Sequence, residues 1–237
     1  METVKTHNFT IVRAKLSEQI ADRLEDVILN EELGDQARLP SEQVLADNFN
    51  VSKNVVRESL NILKERGLVE SRNGTGNFVT RPKADNLSDV MSRMIVLDNI
   101  DYKQIYDTRM VLETSACKRA ADQISEKELE ELEQLQKKLM DKTLSVQERR
   151  ETDLDFHIMI ARASGNHLLE MLIQAMRNII QDAMFLEKDL ENWSSVDEAM
   201  EFHNKILNAL SEHDASTAEE EMHEHLKKAL QNVERIV

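Results

Sequence analysis

The sequence has few of the residue types that are typical of β-rich or disulfide-bonded proteins. Its 237 residues include five glycines, two prolines and 4% aromatic residues, whereas methionine occurs eleven times. Together with abundant leucine, glutamate, lysine and alanine, this composition favours helices. The single cysteine, Cys117, excludes an internal disulfide and indicates a reducing compartment. We therefore expect a mostly α-helical protein located in the cytoplasm.

Long apolar runs and a secretory leader are also missing. No stretch approaches the roughly 20 apolar residues that cross a bilayer, and METVKTHNFTIV lacks the basic-then-apolar pattern of a signal peptide. Hydrophobic residues make up 41% of the chain and charged residues 32%, which is enough for a substantial core and a well-solvated surface. A soluble protein without a membrane partner is expected.

The net charge of −15 is unevenly distributed along the chain. Residues 1–83 hold 12 Lys/Arg and 13 Asp/Glu, whereas residues 84–237 hold 18 and 32. Within residues 52–83 there are seven basic and three acidic residues. A locally basic segment on an acidic protein indicates one small surface that meets phosphates.

Residues 13–83 have helical patterning followed by β-type patterning. Apolar residues recur at helical spacing over 13–29, and further helices are predicted for 41–49 and 52–67. The runs LVES and NFVT, separated by RNGTG, predict a β-hairpin. This order of elements is that of a winged helix–turn–helix, which we expect to occupy residues 1–81.

The third predicted helix carries side chains suited to DNA. A helix that lies across the major groove turns its first two turns toward base edges and phosphates. Asparagine can pair with adenine, and arginine or lysine with guanine. The candidate DNA-binding residues are Ser52, Lys53, Asn54 and Arg57 of this helix, with Arg72, Gly74, Thr75 and Gly76 of the predicted wing.

The segment LPSEQVLADNFNVSKNVVRESLNILKERGLVESRNGTGNFV resembles the DNA-binding domain of GntR-family bacterial transcription regulators. That family typically has an LPSE segment, a VSRxxVREAL helix and a GxGxFV wing. The resemblance implies operator-DNA contacts for Ser41 and Gln43 as well. Gln43 and Lys53 stand where the family usually has arginine. Because glutamine lacks the guanidinium fork, we expect an operator that differs from the commonest half-site.

The remainder of the chain has no strand pattern. A linker is predicted at 82–86 and an all-α bundle of six to seven helices at 87–237. Capping boxes are predicted at Ser125…Glu128, Ser195…Glu198 and Thr217…Glu220. The predicted helices cover residues 86–98, 102–122, 126–143, 146–163, 167–190, 196–211 and 215–236.

Two of these helices place polar residues among their apolar positions. On a helical wheel, Asp153 and His157 fall within the apolar arc of 146–163, whereas Asp155 falls outside it. His203 likewise falls within the apolar arc of its helix. Because a buried carboxylate requires a partner, three alternatives arise: a structural Asp–His pair, a catalytic base with its orienting residue, or ligands of a metal site. A further ligand from the last helix would be His223 or His225, and the wheel leaves both open.

Residues 105–236 resemble the all-helical effector domain, often called FCD, of the FadR-like GntR subfamily. The matching motifs are RxxLE at 109–113, DxxFH at 153–157, SGN at 164–166, HxxI at 203–206 and MxxHL ending at 225–226. The resemblance implies a divalent metal, Zn²⁺, Ni²⁺ or Mn²⁺, and a small carboxylate effector that Arg109 contacts. An ion pair between Arg109 and Glu113 is the alternative for this arginine. The metal ligands that the resemblance implies are Asp153, His157, His203 and His225.

The sequence thus predicts a DNA-binding transcription regulator and no enzyme. We expect a homodimer that binds double-stranded operator DNA at an inverted repeat. A small carboxylate metabolite, such as a sugar acid or hydroxy acid, is expected to change operator affinity. Two alternatives remain: a regulator whose signal is the metal itself, and a metal-dependent hydrolase fused to a winged helix.

Overall fold

A computed structural model describes residues 15–30, 33–34, 36–81, 84–177, 179–180 and 193–234. The chain divides into two compact units, Met1–Lys83 and Ala84–Val237. The described residues form ten helices and one two-stranded sheet. The fold-class prediction, a mostly α chain with an N-terminal winged helix–turn–helix, is confirmed. None of the described helices is long and apolar enough to cross a membrane.

The first unit consists of three helices followed by a hairpin. Ser41 caps the second helix and Ser52 the third, since each side chain accepts a hydrogen bond from a backbone N–H three residues on. Asn50 adopts a left-handed conformation (φ 53°) in the tight turn between them. The elements are α1 (Leu16–Asn30), α2 (Glu42–Phe49), α3 (Lys53–Glu65), β1 (Val69–Arg72) and β2 (Gly76–Val79).

The core of this unit forms between α1 and α3. Val56, Leu60 and Leu63 turn one face of α3 inward, where they pack with Ile20 and Leu24 of α1. The four residues at the start of α3 and its cap that were predicted to meet DNA remain exposed. Burial of one face thus fixes which side of α3 is available to a partner.

The predicted hairpin is present. Strand β1 pairs antiparallel with β2, with Val69 opposite Val79 and Arg72 opposite Gly76. An additional bridge joins Arg38 to Phe78, which widens the hairpin beyond the sequence prediction. Gly74 and Gly76 have φ values of +74° and +120°, a region that favours glycine at the tip of a turn.

The second unit has seven described helices. Helix α4 begins at Ala84, inside the segment 82–86 that was predicted as a linker. The predicted helix at 167–190 is described only in part, because residues 178 and 181–192 lie outside the described residues. The helices are α4 (Ala84–Leu97), α5 (Tyr102–Gln123), α6 (Glu126–Leu139), α7 (Val146–Ala163), α8 (His167–Ala175), α9 (Trp193–Ser211) and α10 (Ala215–Glu234).

Capping boxes begin two of these helices. The box predicted at Ser125 is present, and a second one at Ser145 begins α7. The other two predicted boxes are wrong. Ser195 lies inside α9, which begins at Trp193. Thr217 lies inside α10, where Asp214 accepts hydrogen bonds from the first backbone N–H groups instead. The four-residue pattern alone does not fix where a helix begins.

The main core of the second unit lies where α5, α7, α9 and α10 meet. Helix α5 packs against α10 and α7, and α9 packs against α10 and α6. Cys117 is fully buried in this core, and burial raises the pKa of its thiol, so it packs as a small apolar side chain. The packing brings one face of each of α7, α9 and α10 to a common point.

Candidate metal centre and DNA interface

Three buried histidines meet inside the second unit. His157 of α7, His203 of α9 and His225 of α10 lie with their ligand atoms within 4.8 Å of one another. Their relative exposures are 3%, 0% and 7%. His223, the alternative that the helical wheel left open, has a half-exposed side chain and faces Glu224. The geometry therefore brings together the three histidines that the family resemblance implied.

Asp153 completes the cluster from one turn earlier on α7. Its Oδ1 lies 3.4 Å from Nε2 of His203, and its Oδ2 lies 3.9 Å from Nε2 of His157. The separation of 3.9 Å is too long for a hydrogen bond, which disfavours the alternative of a structural Asp–His pair. Asp155 points away, as expected, and pairs with Arg177 at 2.6 Å.

Burial shifts the pKa of the Asp153 carboxyl group and of two imidazoles toward the neutral form of each group. It raises the pKa of Asp153, although the charges of His157 and Arg109 oppose that shift. It also lowers the pKa of His203 and of His225 well below the usual value, and neighbouring histidines add to this. A neutral imidazole is the form that coordinates a metal.

A buried carboxylate lies against His157. Nδ1 of His157 lies 2.6 Å from Oε2 of Glu113, and Oε1 of Glu113 accepts a hydrogen bond of 2.7 Å from Nε of Arg109. Burial opposes ionisation of Glu113, but Arg109 and His157 outweigh it and hold the pKa of that carboxyl well below its usual value. The carboxylate of Glu113 thus lies on the Nδ1 side of the ring, and Nε2 of His157 lies on the other side, 3.2 Å from Nε2 of His225.

A buried amide determines which ring nitrogen of His203 carries the proton. Nδ1 of His203 lies 3.1 Å from Oε1 of Gln136. The amide nitrogen of Gln136 donates to the carbonyl of Met200 (3.2 Å) and to Oδ1 of Asn204 (3.1 Å). The amide oxygen therefore faces His203 and accepts from Nδ1–H, which leaves the lone pair on Nε2.

The remaining nitrogens converge on a single point. Nε2 of His225 lies 3.2 Å from Nε2 of His157. Nε2 of His203 is buried and has no hydrogen-bond partner among the residues that the structure describes. Lone pairs directed at one another repel unless a proton or a cation lies between them. The three imidazole nitrogens could thus hold a divalent transition metal ion, and a carboxylate oxygen of Asp153 lies 3.4 Å from one of them.

Arg109 lies behind these ligands. Its side chain is 3% exposed, donates to Glu113 and lies 5.0 Å from the centre of the Tyr106 ring. Burial opposes its charge, but Glu113 more than compensates, and the pKa of Arg109 is raised. The residue predicted to contact the effector therefore acts on the cluster through Glu113, and its positive charge also favours ionised Asp153.

Gln136 was not identified from the sequence as part of this cluster. The ion pair of Glu113 with Arg109, four residues earlier on the same helix face, was one of the two alternatives for that arginine and is present, but the contact of Glu113 with His157 was not predicted. Gln136 lies between the buried Leu132 and Leu139 on the inner face of α6. The presence of a glutamine at an apolar position of the helix was the one sequence feature that marked Gln136. It did not indicate which residue Gln136 contacts.

The candidate DNA-binding residues all lie on the surface of the first unit. All ten predicted residues are exposed to solvent: Ser41, Gln43, Ser52, Lys53, Asn54, Arg57, Arg72, Gly74, Thr75 and Gly76. Ser41 and Ser52 are also the caps of their helices. The start of α3 therefore combines a free helix N-terminus with basic and amide side chains, which suits phosphate and base contacts.

Several of these side chains are paired with acidic groups. Arg57 pairs with Glu42 at 2.8 Å, and Gln43 donates to Asp47 at 2.7 Å. Arg72 pairs with Glu70 at 2.6 Å. Exposed ion pairs contribute only about 0–1 kcal/mol to stability. DNA phosphates can therefore replace the acidic partners at a small cost in free energy.

Arg38 is a further basic residue at this surface that the sequence reasoning missed. Its guanidinium lies beside Gly76, so that a Cβ atom at Gly76 would be 3.4 Å from Nε of Arg38. The absence of a side chain at Gly76 lets Arg38 lie against the wing. The bridge between Arg38 and Phe78 explains why a residue far from the hairpin in sequence belongs to it.

Comparison with known proteins identifies a family for each of the two units. Residues 16–79 match the family described as "Bacterial regulatory proteins, gntR family", and residues 104–228 match the "FCD domain". The HTH-type transcriptional regulator LutR of Bacillus subtilis is 30% identical, over 84% of this chain and 93% of that protein. The HTH-type transcriptional repressor NanR of Edwardsiella tarda is 30% identical, over 91% of this chain and 84% of that protein.

The fold also has a counterpart among solved structures. Streptococcus agalactiae GntR superposes with a TM-score of 0.66 at 24% sequence identity, covering 91% of this chain and all of that one. The matched families and relatives are transcriptional regulators and not enzymes, which removes the metal-dependent hydrolase alternative. The chain belongs to the GntR family of DNA-binding transcriptional regulators, with an FCD domain as its helical unit.

Proposed function

We propose that this regulator is a homodimeric repressor that a small carboxylate metabolite controls through a divalent metal. The metal is held by Asp153, His157, His203 and His225. The metabolite completes the coordination of the metal and changes the affinity of the dimer for an inverted-repeat operator. Repression is the activity printed in the name of the relative NanR.

One observation carries the metal part of the proposal. Gln136 accepts a hydrogen bond from Nδ1 of His203 and so directs the Nε2 lone pair of that ring toward Asp153, while the Nε2 atoms of His157 and His225 lie 3.2 Å apart. Lone pairs that point toward one another inside a core repel, and a cation between them would replace this repulsion with attraction. Three imidazoles and a carboxylate suit Zn²⁺, Ni²⁺ or Mn²⁺.

The effector part follows from the number of ligands. Nickel and manganese commonly accept six ligands and zinc four or five, so four protein ligands leave positions on most of these ions. When bound, the metal supplies a Lewis-acidic contact for a carboxylate oxygen. Asp153 is the ligand whose side chain retains some exposure, 16%. Access for a small acid is therefore proposed from the side of Asp153.

An apolar stripe on α4 supports the proposed homodimer. Leu87, Val90, Met94 and Leu97 are 41%, 48%, 53% and 78% exposed. Their spacing of three, four and three residues places them on one side of the helix. Four large apolar side chains in a row on a solvent face are typical of a helix that packs against a second chain.

The first prediction concerns DNA. Replacement of Arg57 by alanine should weaken operator binding about 10- to 100-fold, because an arginine–base or arginine–phosphate contact contributes about 1–3 kcal/mol. Fluorescence anisotropy at one fixed salt concentration, on a duplex selected from a random library, measures this. Lys227→Ala on α10 is the matched control, since it removes an exposed positive charge that pairs with Glu224. Equal losses in both variants would contradict the proposed interface.

The second prediction concerns the dimer. The double variant Val90→Glu/Met94→Glu places two glutamates in the apolar stripe. It should be a monomer of 27.3 kDa and not a dimer, because dimerisation would bury unpaired charges in the interface. Sedimentation velocity measures the mass. Met140→Glu, at an exposed apolar residue on the end of α6, should remain dimeric. A wild-type monomer, or a dimeric double variant, would argue against this surface.

The third prediction separates the two neighbouring histidines of α10. His225→Ala should weaken metal binding by on the order of 100-fold or more, whereas His223→Ala should leave it unchanged, because only His225 faces the cluster. Equilibrium dialysis against Ni²⁺ or Zn²⁺, followed by elemental analysis, gives the number of ions per chain. Loss of metal binding in both variants, or in neither, would contradict the assignment of His225 as a ligand.

The fourth prediction distinguishes a metabolite signal from a metal signal. In a thermal-shift screen of sugar acids, hydroxy acids and dicarboxylates, at least one compound should raise the melting temperature of the protein, and only when metal is present. A ligand at 100 times its Kd stabilises the native state by about 2.7 kcal/mol. The parent sugar or alcohol without the carboxylate serves as the control and should have no effect. If metal alone changes operator affinity and no acid does, the metal-responsive alternative is correct.

A further inference from the structure

Gln136 stands at a position that would ordinarily be apolar. It lies on the inner face of α6 with the fully buried Leu132 and Leu139 four residues before and three residues after it, and it is itself 5% exposed. Helix α6 supplies none of the four candidate metal ligands. A buried amide must satisfy both its oxygen and its nitrogen, and Gln136 does so entirely on α9, with Met200, His203 and Asn204.

The direction of these hydrogen bonds is fixed by the backbone. The carbonyl oxygen of Met200 can only accept, so the atom of Gln136 that faces it must be the NH₂ group. Asn204 Oδ1 accepts from the same group. The amide oxygen is therefore held toward Nδ1 of His203, and a flipped amide would lose the bond to Met200.

The ring of His203 is restrained separately in its plane and in its orientation within that plane. Phe156 stacks on it with ring centroids 4.2 Å apart and an angle of 11° between the rings. Stacking fixes the plane, but a 180° rotation of the imidazole preserves the plane and exchanges the positions of carbon and nitrogen. Gln136 accepts from Nδ1 alone, so it selects one of the two orientations and one tautomer.

We propose that Gln136 is a positioning residue for the metal site, which selects the Nδ1–H tautomer and the ring orientation of His203. The proposal rests on the proposed metal-dependent function and adds a residue on a fourth helix to it. Through this amide, Nε2 of His203 presents a lone pair toward Asp153 and His157 before any ion arrives. The ion then meets a ligand that needs neither rotation nor loss of a proton.

Two substitutions separate positioning from packing. Gln136→Leu removes the acceptor and should weaken Ni²⁺ or Zn²⁺ binding about 10- to 100-fold, the usual effect of losing such a partner. Gln136→Glu keeps an acceptor for Nδ1–H but loses the donor to Met200, so affinity should stay within a few-fold while the metal-free melting temperature falls. Competition with a chromophoric chelator measures affinity in the full-length chain. Gln134→Leu, an exposed glutamine on the same helix, is the control.

A metal-independent measurement tests the tautomer directly. Nitrogen-15 spectra of histidine-labelled, metal-free protein should show His203 protonated on Nδ1 in the wild type and a mixture of tautomers in Gln136→Leu. Asn204→Ala, at an exposed position, removes one anchor of the amide and should give a smaller shift in the same direction. This milder variant keeps the test decisive if the leucine variant does not fold.

The results distinguish failure of this inference from failure of the metal site itself. If the wild type binds no metal, the proposed function fails. If the wild type binds metal and both Gln136→Leu and Asn204→Ala match it in affinity and tautomer, the positioning role of Gln136 is wrong. Equal loss of affinity in the leucine and glutamate variants would also overturn it, since packing alone would then explain the effect.

Discussion

The buried ion pair between Arg109 and Glu113 is the interaction on which the helical unit depends. Both side chains are about 3% exposed and lie one turn apart on α5, the helix that packs against α7, α9 and α10. Two charges removed from water are costly unless each has a partner, and loss of one partner leaves the other uncompensated. Glu113 meets this requirement in two directions, toward Arg109 and toward His157, so the charge that holds the core together also orients a ligand.

The two units treat their charges in opposite ways. In the helical unit the polar side chains near the histidines are buried and face defined neighbours: Glu113 faces Arg109 and His157, and Gln136 faces His203. At the DNA surface, Arg57 and Arg72 pair with nearby glutamates in contact with solvent, where partners exchange readily. A site that must hold an ion needs the first arrangement, and a surface that must adapt to a nucleic-acid backbone needs the second.

The fold was largely predictable because its signals are local. Apolar spacing, capping serines and the glycine-rich wing turn lie within a few residues of what they determine, and the helix bounds at 102, 126 and 146 agree with the pattern. The wheel identified Asp153, His157 and His203 from inward placement alone. It could not choose between His223 and His225, because they lie on opposite shoulders of an apolar face whose centre depends on neighbouring helices.

What sequence reasoning missed is non-local. Gln136 is separated from His203 by 67 residues, and Arg38 reaches the hairpin through a bridge to Phe78. No periodicity within one helix records such a pairing. Arg109 illustrates the same limit: its motif identified it as important, but the contact with Glu113 gives it a role behind the ligands.

The three histidines come from three different helices, α7, α9 and α10, and residues 157, 203 and 225 are 46 and 22 positions apart along the chain. An ion bound by all three closes two loops and works as a reversible cross-link on the unfolding chain. Its effect is then greatest on the rate of unfolding and on resistance to proteases, which act on opened states. The abundance of such a regulator in a cell would follow metal supply, independently of any change in its affinity for DNA.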